Sequence, residues 1–418
     1  MTEILIVALA VFGYAMISER LSMSPITAPM VFTTIGLVLG AGGLGWFDLD
    51  LEGESVAILV EATLVLVLFV DAVRIDLRAL GHESGVPTRL LGISLPLTIV
   101  AGTGLALLLF GEFNVAEAAL LAAVLAPTDA ALGQAVVSDK RLPVRVRQSL
   151  SVESGLNDGI VIPIVTVLIA IAAAEAGAIT NSKVGTFVAR QIGFGLLAGV
   201  VIGLVCGWLI YQRASKHQIE AVYRQLATIA VAASAFAAAS LLDGNGFIAA
   251  FVAGLAFGHI APSQCKDVID FTEDEGELLT AVTFLTFGAV LVGPLLDDLT
   301  WQIALYAVGS LTVVRMVPTA LSMIGSGSQF ETRLFAGWFG PRGLASILFA
   351  LVVLEEHHTE ATEQVFTIVM WTVLLSIFAH GITASPWAGR LARGLSSGPA
   401  DTAEVAPMTA MPSRRHDG

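Results

Sequence analysis

The chain has 418 residues, of which 56% are hydrophobic and only 13% charged, with a net charge of −14 at neutral pH. A soluble domain carries roughly 25% charged residues, so the composition excludes a soluble enzyme, and the negative balance without a basic stripe excludes nucleic acid as a partner. Its two cysteines, Cys206 in an apolar segment and Cys265 in a polar loop, offer neither a disulfide framework nor metal-ligand spacing, and no cofactor or redox centre is expected.

In chain order, apolar runs such as "ILIVALAVFGYAMI", "LLGISLPLTIVAGTGLALLLF" and "FGLLAGVVIGLVCGWLI" approach or exceed the ~20 residues that carry a helix through the hydrocarbon layer. The first run follows "MTE" with no basic segment before it, and others succeed it, so it reads as a spanning helix rather than a cleaved signal. The pattern predicts an all-α polytopic membrane protein of about thirteen transmembrane helices. Their starts are expected near residues 3, 26, 55, 88, 115, 149, 185, 221, 246, 277, 301, 332 and 364. All Lys and Arg except Lys183, Arg190, Arg315 and Arg342 fall in the loops after spans 1, 3, 5, 7, 9 and 11 or near the C-terminus. The opposite loops are acidic, as in "FDLDLEGE" and "LLDDL". Because basic loops stay on the cytoplasmic side, the N-terminus is expected outside and the C-terminus in the cytoplasm. The transmembrane part should cover 1–394, and the small, polar residues 395–418 read as a disordered cytoplasmic tail.

Ionisable residues at membrane depth cost ~2.5–3.5 kcal/mol each on insertion scales and mark functional sites. Asp71, Asp129, Glu153 with Asp158, Arg315 and Arg342 are the residues of this kind. In "QSLSVESGLNDGIVI", starting at Gln148, a helix at about 100° per residue puts Asn157, Ser154 and Asp158 within about 140° of Glu153, on one face. Val152, Leu156 and Ile160 lie opposite and can meet lipid or packed helices. Span 5, "LAAVLAPTDAALGQAVV", should break at Pro127, before Thr128 and Asp129, since proline lacks a donor and drives its predecessor out of the α region. Span 12, "FAGWFGPRGLASILFALVV", should unwind at Pro341, Arg342 and Gly343 for the same reasons. The two breaks occupy corresponding positions in two six-span units, one over about 1–175 and one over about 221–388, joined by a linker helix over about 185–211. One linking helix inverts the second unit relative to the first, and paired broken helices point to a binding site near the midplane.

The motifs "APTD", "ESGLND" and "GPRGLAS", in that order, resemble those of the NhaP-type monovalent cation/proton antiporters, relatives of the eukaryotic sodium/proton exchangers. The resemblance covers nearly the whole chain, from "LFVDAVRIDLRAL" to Arg342. It implies a core domain with two crossed, broken helices and a dimerisation domain built partly from the first spans, hence a homodimer in the lipid of a prokaryotic inner membrane. It implies that Thr128, Asp129, Ser154 and Asp158 bind the cation, Na⁺ or else Li⁺ or K⁺, and that Asn157 is the neutral partner found in the electroneutral branch. Glu153 matches a structural glutamate whose partner would be Arg315. Asp71 stands where relatives often carry a glutamate, as an auxiliary residue. Arg342 either braces the crossing through carbonyls, offsets Asp129, or pairs elsewhere without a part in ion binding.

Hard oxygens suit a dehydrated cation, and the carboxylate of Asp158 can hold a proton instead. Cation and H⁺ then compete for one site, and the non-titrating Asn157 points to 1:1 exchange. Rival readings are a K⁺/H⁺ antiporter or K⁺ efflux system on the same scaffold, an intramembrane hydrolase using paired aspartates, and a passive channel. His259 and His380 are expected to satisfy local hydrogen bonds, and "EEHHTE", residues 355 to 360, to form a solvated loop.

Overall fold

The computed structural model describes residues 2–22, 24–46, 54–75, 85–129, 132–175, 180–261, 277–356, 359–397 and 404. Among them every regular element is helical. The first three helices are α1 (Thr2–Ser22), α2 (Ala28–Leu39) and α3 (Glu54–Val73). Next come α4 (Gly85–Leu109), with a π-helical turn at Leu90–Ser94, α5 (Val115–Val124), the short α6 (Gln134–Val137), α7 (Val144–Glu175) and α8 (Asn181–Ser215). After α9 (Ala221–Leu241) and α10 (Gly246–Ile260), α11 (Glu277–Asp298) contains a second π-helical turn at Phe287–Val292. The chain continues through α12 (Trp301–Leu311), α13 (Val313–Ser322), α14 (Phe330–Trp338), α15 (Leu344–Glu356) and α16 (Glu360–Ser397).

Helices thus begin within a few residues of every expected span start. Among the described residues, eight stretches are long and apolar enough to cross a membrane, while α2, α5, α10 and α15 are apolar but shorter. Two of the short ones have a local cause. α5 stops before Pro127, and α15 starts after Pro341. The tail expected over 395–418 lies outside the described residues apart from 395–397, which complete α16, and Glu404. Cys265, residues 76–80 of "LFVDAVRIDLRAL" and the two histidines of "EEHHTE" also lie outside them.

Contacts divide the chain into two units. The first comprises Met1–Val60, Val86–Ser154 and Leu278–Thr409. Its helices approach closely through small residues, the usual means of packing where lipid gives no hydrophobic drive between helices. A Cβ on Gly36 of α2 would overlap the Leu285 carbonyl of α11, and one on Gly102 of α4 would stand 2.9 Å from the Ala122 Cβ of α5. Phe335, Trp338, Phe339 and Trp387 form an aromatic cluster between α14 and α16, with ring centroids 4.5 to 6.3 Å apart.

The second unit comprises Glu61–Gly85, Gly155–Glu277 and Ala410–Gly418. Here α8 presents Gly199 and Gly203, one turn apart, to α10, where added Cβ atoms would stand 2.6 Å from the carbonyls of Ala249 and Ala253. Asn245 caps α10 by accepting from the Phe247 and Ile248 N–H groups, and its side-chain amide reaches Thr166 of α7 at 3.2 Å.

Candidate functional site

The first interruption follows from its sequence. α5 opens with a capping box between Asn114 and Glu117, runs through fully apolar turns and ends at Val124, because Pro127 forces Ala126 out of the helical region. Residues 126–129 are left outside the helix and buried, with Thr128 1% and Asp129 8% exposed. A helix end leaves carbonyls without intrahelical donors, and here other elements supply the donors. Ser346 Oγ donates to the Val124 carbonyl at 2.8 Å. Arg342 Nη1 donates to the carbonyls of Ala126 and Pro127 at 2.5 and 3.1 Å.

Arg342 belongs to the second interruption, residues 339–343 between α14 and α15, and Ser346 to the first turn of α15. The two segments are tied to each other directly. The Asp129 N–H donates to the Pro341 carbonyl at 2.8 Å, and the Asp129 carboxylate accepts from the N–H of Leu344 at 2.7 Å and of Leu132 at 3.2 Å. Asp129 therefore caps the N-terminus of α15, where backbone N–H groups and the helix dipole favour a negative charge. Of the contacts expected for Arg342, those to the freed carbonyls are present. The other end of the segment is held by α16, where Ser376 Oγ accepts from the Arg342 N–H at 2.7 Å and His380 Nε2 lies 2.9 Å from the Trp338 carbonyl.

α7 is one continuous helix of 32 residues through the "ESGLND" motif. Glu153, Asn157 and Asp158 are 2%, 1% and 5% exposed, and Ser154 is half-buried. Within the first unit, Arg315 Nη2 donates to Glu153 Oε1, with both residues buried. Arg315 is itself held through α13, since Thr319 donates to its carbonyl and meets Ser94 of α4 at 2.9 Å. Ser154 Oγ lies 3.0 Å from Thr128 Oγ1, so the two hydroxyls expected from separate spans are neighbours. One turn beyond Ser154 along α7 comes Asp158. Within the second unit, Asp71 is 8% exposed, pairs with Arg74 at 3.8 Å, and its backbone faces α7 at Gly155.

Several residues escaped the sequence reading. Gly343 sits against the Asp129 carboxylate and Gly340 against the Arg315 guanidinium, so a side chain at either position would collide. Ser346 and Ser376 carry no signal as lone serines in apolar helices. His380, expected to satisfy local hydrogen bonds, does so with Ser376 and the Trp338 carbonyl, and the signal for the first partner was its i, i+4 spacing.

With this geometry in view, comparison with known proteins is direct. Residues 6–389 match the family described as sodium/hydrogen exchanger, transmembrane. The K(+)/H(+) antiporter NhaP of Alkalimonas amylolytica is 27% identical over 396 residues, an alignment covering 91% of this chain and 66% of that protein. The Na(+)/H(+) antiporter 2 of Zygosaccharomyces rouxii is 26% identical, over 84% of this chain and 48% of its own length. The chain thus spans just under two thirds of the first relative and about half of the second. In fold it is similar to the sodium proton antiporter MjNhaP1 from Methanocaldococcus jannaschii, with a TM-score of 0.74, 19% identity, and coverage of 95% of this chain and 100% of the other. The chain belongs to the sodium/hydrogen exchanger family.

Proposed function

We propose that the protein is a secondary transporter that exchanges a monovalent cation for H⁺, with both competing for Asp158. The observation that carries this reading is the Thr128 to Ser154 hydroxyl pair at 3.0 Å on the first interruption, joined through α7 to a buried carboxylate one turn along. Two hydroxyl oxygens and a carboxylate are hard oxygen donors of the kind a dehydrated alkali cation requires. Thr128, Ser154 and Asp158 contribute side-chain oxygens, Asp129 adds negative charge while bracing the crossing, and Asn157 lines the site without titrating. Asp71 is an auxiliary carboxylate. The Glu153–Arg315 pair is structural and ties α7 to α13.

Cation and proton occupy Asp158 alternately, and alternating access moves the loaded site between the two sides. With one titrating carboxylate at the motif, exchange is 1:1 and electroneutral. Na⁺ is the principal substrate in this reading, supported by the family description and the similarity in fold to a sodium proton antiporter. K⁺ is the alternative, supported by the printed names of the bacterial relatives. The protein acts in the plasma membrane as a homodimer, with its N-terminus outside and its C-terminus in the cytoplasm, as the basic loops indicate.

The test is reconstitution into vesicles containing a pH-sensitive dye, with Na⁺, Li⁺ and K⁺ added in turn. Proton movement should require a cation and be indifferent to an imposed membrane potential. Proton movement independent of any cation defeats the exchange reading, and voltage dependence defeats the 1:1 stoichiometry.

A further inference from the structure

The second interruption is held at both ends by one turn of α16. Ser376 and His380 stand at i and i+4, 0% and 1% exposed. The Arg342 N–H donates to Ser376 Oγ at 2.7 Å, Ser376 Oγ lies 3.1 Å from His380 Nδ1, and His380 Nε2 lies 2.9 Å from the carbonyl of Trp338, the last residue of α14. The proton positions follow from which groups can donate. A carbonyl only accepts, so Nε2 carries the ring proton, and in a neutral ring Nδ1 then accepts. Ser376, already accepting from Arg342, turns its own hydroxyl proton to Nδ1. The competing arrangement has Nδ1 donating to the Ser376 carbonyl at 3.0 Å, and it leaves the serine hydroxyl without that acceptor. The Trp338 indole, tilted 35° at 4.9 Å, packs against the imidazole, and its Nε1–H is anchored to Thr383 on the same helix.

We propose that Ser376 and His380 are positioning residues for the ion site. They join the carbonyl that ends α14 to the amide of Arg342 four residues later and so fix the span of the interruption. Everything the second segment does to the first depends on that span. It aims the Arg342 guanidinium at the carbonyls of Ala126 and Pro127, and it sets the Pro341 carbonyl and the Leu344 N–H on either side of Asp129. Thr128 lies between these fixed points in the chain. A shift of the segment is therefore passed to the Thr128 hydroxyl and its neighbouring carbonyls, although neither Ser376 nor His380 touches an ion. This inference rests on the exchange reading above. It adds that affinity for the cation is set partly from a helix outside the motifs.

Two measurements on the full chain test it. In vesicles, Ser376→Ala and His380→Leu should raise the KM for the cation at least threefold, with the pH profile of exchange in its wild-type position. His380→Gln, which can restore a donor to the Trp338 carbonyl, should return KM to within twofold of wild type. In solution, nitrogen-15 spectra of the histidine-labelled protein, with His380 assigned from the His380→Gln sample, should show Nε2 protonated and Nδ1 bare. An unchanged KM in both Ser376→Ala and His380→Leu overturns the proposal. So does a protonated Nδ1 at His380 in the wild type, a result that needs only the conservative His380→Gln variant to fold for the assignment. A displaced pH profile in His380→Leu also overturns it, because the ring would then be a proton carrier. Cation-independent proton movement by the wild type removes the exchange reading instead, and the tautomer spectrum still tests the geometry.

Discussion

Gly343→Ala isolates the crossing from every other feature of the protein. A Cβ at position 343 would overlap the Asp129 carboxylate, standing 2.6 Å from its Cγ and 2.8 Å from its Cβ. Real Cβ atoms do not approach so closely, so one side must move. Asp129 has little room, because its N–H is bonded to the Pro341 carbonyl and its two oxygens accept from Leu132 and Leu344. The least disruptive response is rotation of the carboxylate away from Leu344, which leaves that buried N–H without its acceptor. Leaving a buried donor unsatisfied costs about 1–3 kcal/mol, and more where the lost partner was charged, so destabilisation should be about 2–4 kcal/mol. The control is Gly104→Ala in α4, where a Cβ would meet nothing within 4 Å. There the change should stabilise the helix by about 0.5–1 kcal/mol. Urea or SDS unfolding of the purified protein in detergent, followed by tryptophan fluorescence, reads both numbers, and cation-driven proton exchange should be lost only in Gly343→Ala. If Gly343→Ala unfolds within about 0.5 kcal/mol of wild type, the ordinary range for inconsequential substitutions, then Asp129 is not the tie between the two segments.

Three further outcomes follow from the same geometry. Asp158→Asn should abolish exchange in vesicles while the protein purifies and unfolds like wild type; retained exchange would remove Asp158 from the centre of the mechanism. Glu153→Gln should destabilise by about 3–5 kcal/mol, because it leaves the Arg315 guanidinium buried without its counter-charge, whereas Glu153→Leu combined with Arg315→Leu should recover most of the loss. Unfolding free energies of the single and double variants check this, and a double variant no better than the single would contradict the pairing. In the loop before α7, burial pushes the Asp139 carboxyl up, but hydrogen bonds and charge from Arg141, with the charge of Arg147, outweigh it and hold the group below its usual range. A carboxyl depressed in the folded state contributes stability above its unfolded value of about 3.9, and that stability disappears as pH falls through the folded value. The stability difference between wild type and Asp139→Asn should therefore be small, constant near neutrality, and vanish in acid, as unfolding midpoints at a series of pH values will measure.

The helices were legible because a membrane reduces the problem to length and polarity. A run of apolar residues bounded by charge has few alternatives, and expected and observed starts agree within a few residues from Thr2 to Glu360. The interruptions were legible for a different reason, since Pro127 and the Gly-Pro-Arg-Gly stretch at 340–343 cannot continue a helix. What the chain does not reveal locally is which groups meet across it. The Asp129 bond to Leu344 joins residues 215 positions apart, and nothing near either one announces the other. Arg342 shows the same limit. Its burial was expected from its place in an apolar span, but the choice among its partners depended on where the freed carbonyls of α5 lay. The π-helical turn at Leu90–Ser94 was also beyond local reading. It offers no sequence mark, yet it belongs to the stretch that brings Ser94 to Thr319, behind Arg315.

Asp129 and Asp158 are the same residue type in neighbouring motifs, and the backbone beneath each gives them different work. Asp129 sits where the helix has ended. N–H groups at the start of α15 and at Leu132 are open to acceptors there, and its carboxylate takes one with each oxygen. Asp158 sits inside an unbroken helix of 32 residues, in which each N–H is already committed to the carbonyl four residues earlier. No backbone donor of its own helix is available to it. A partner for its carboxylate has to come from outside that ladder, so loading and unloading it leaves the hydrogen bonds of its own helix in place. A carboxylate built into the scaffold cannot be loaded and unloaded in each cycle without disturbing the fold, and one mounted on a continuous helix can. The proposed exchange reading gives the exchangeable proton to Asp158, and the hydrogen bonds of Asp129 give it the bracing. That division of work also requires that substitution of Asp129 weaken folding and transport together, while substitution of Asp158 separates the two.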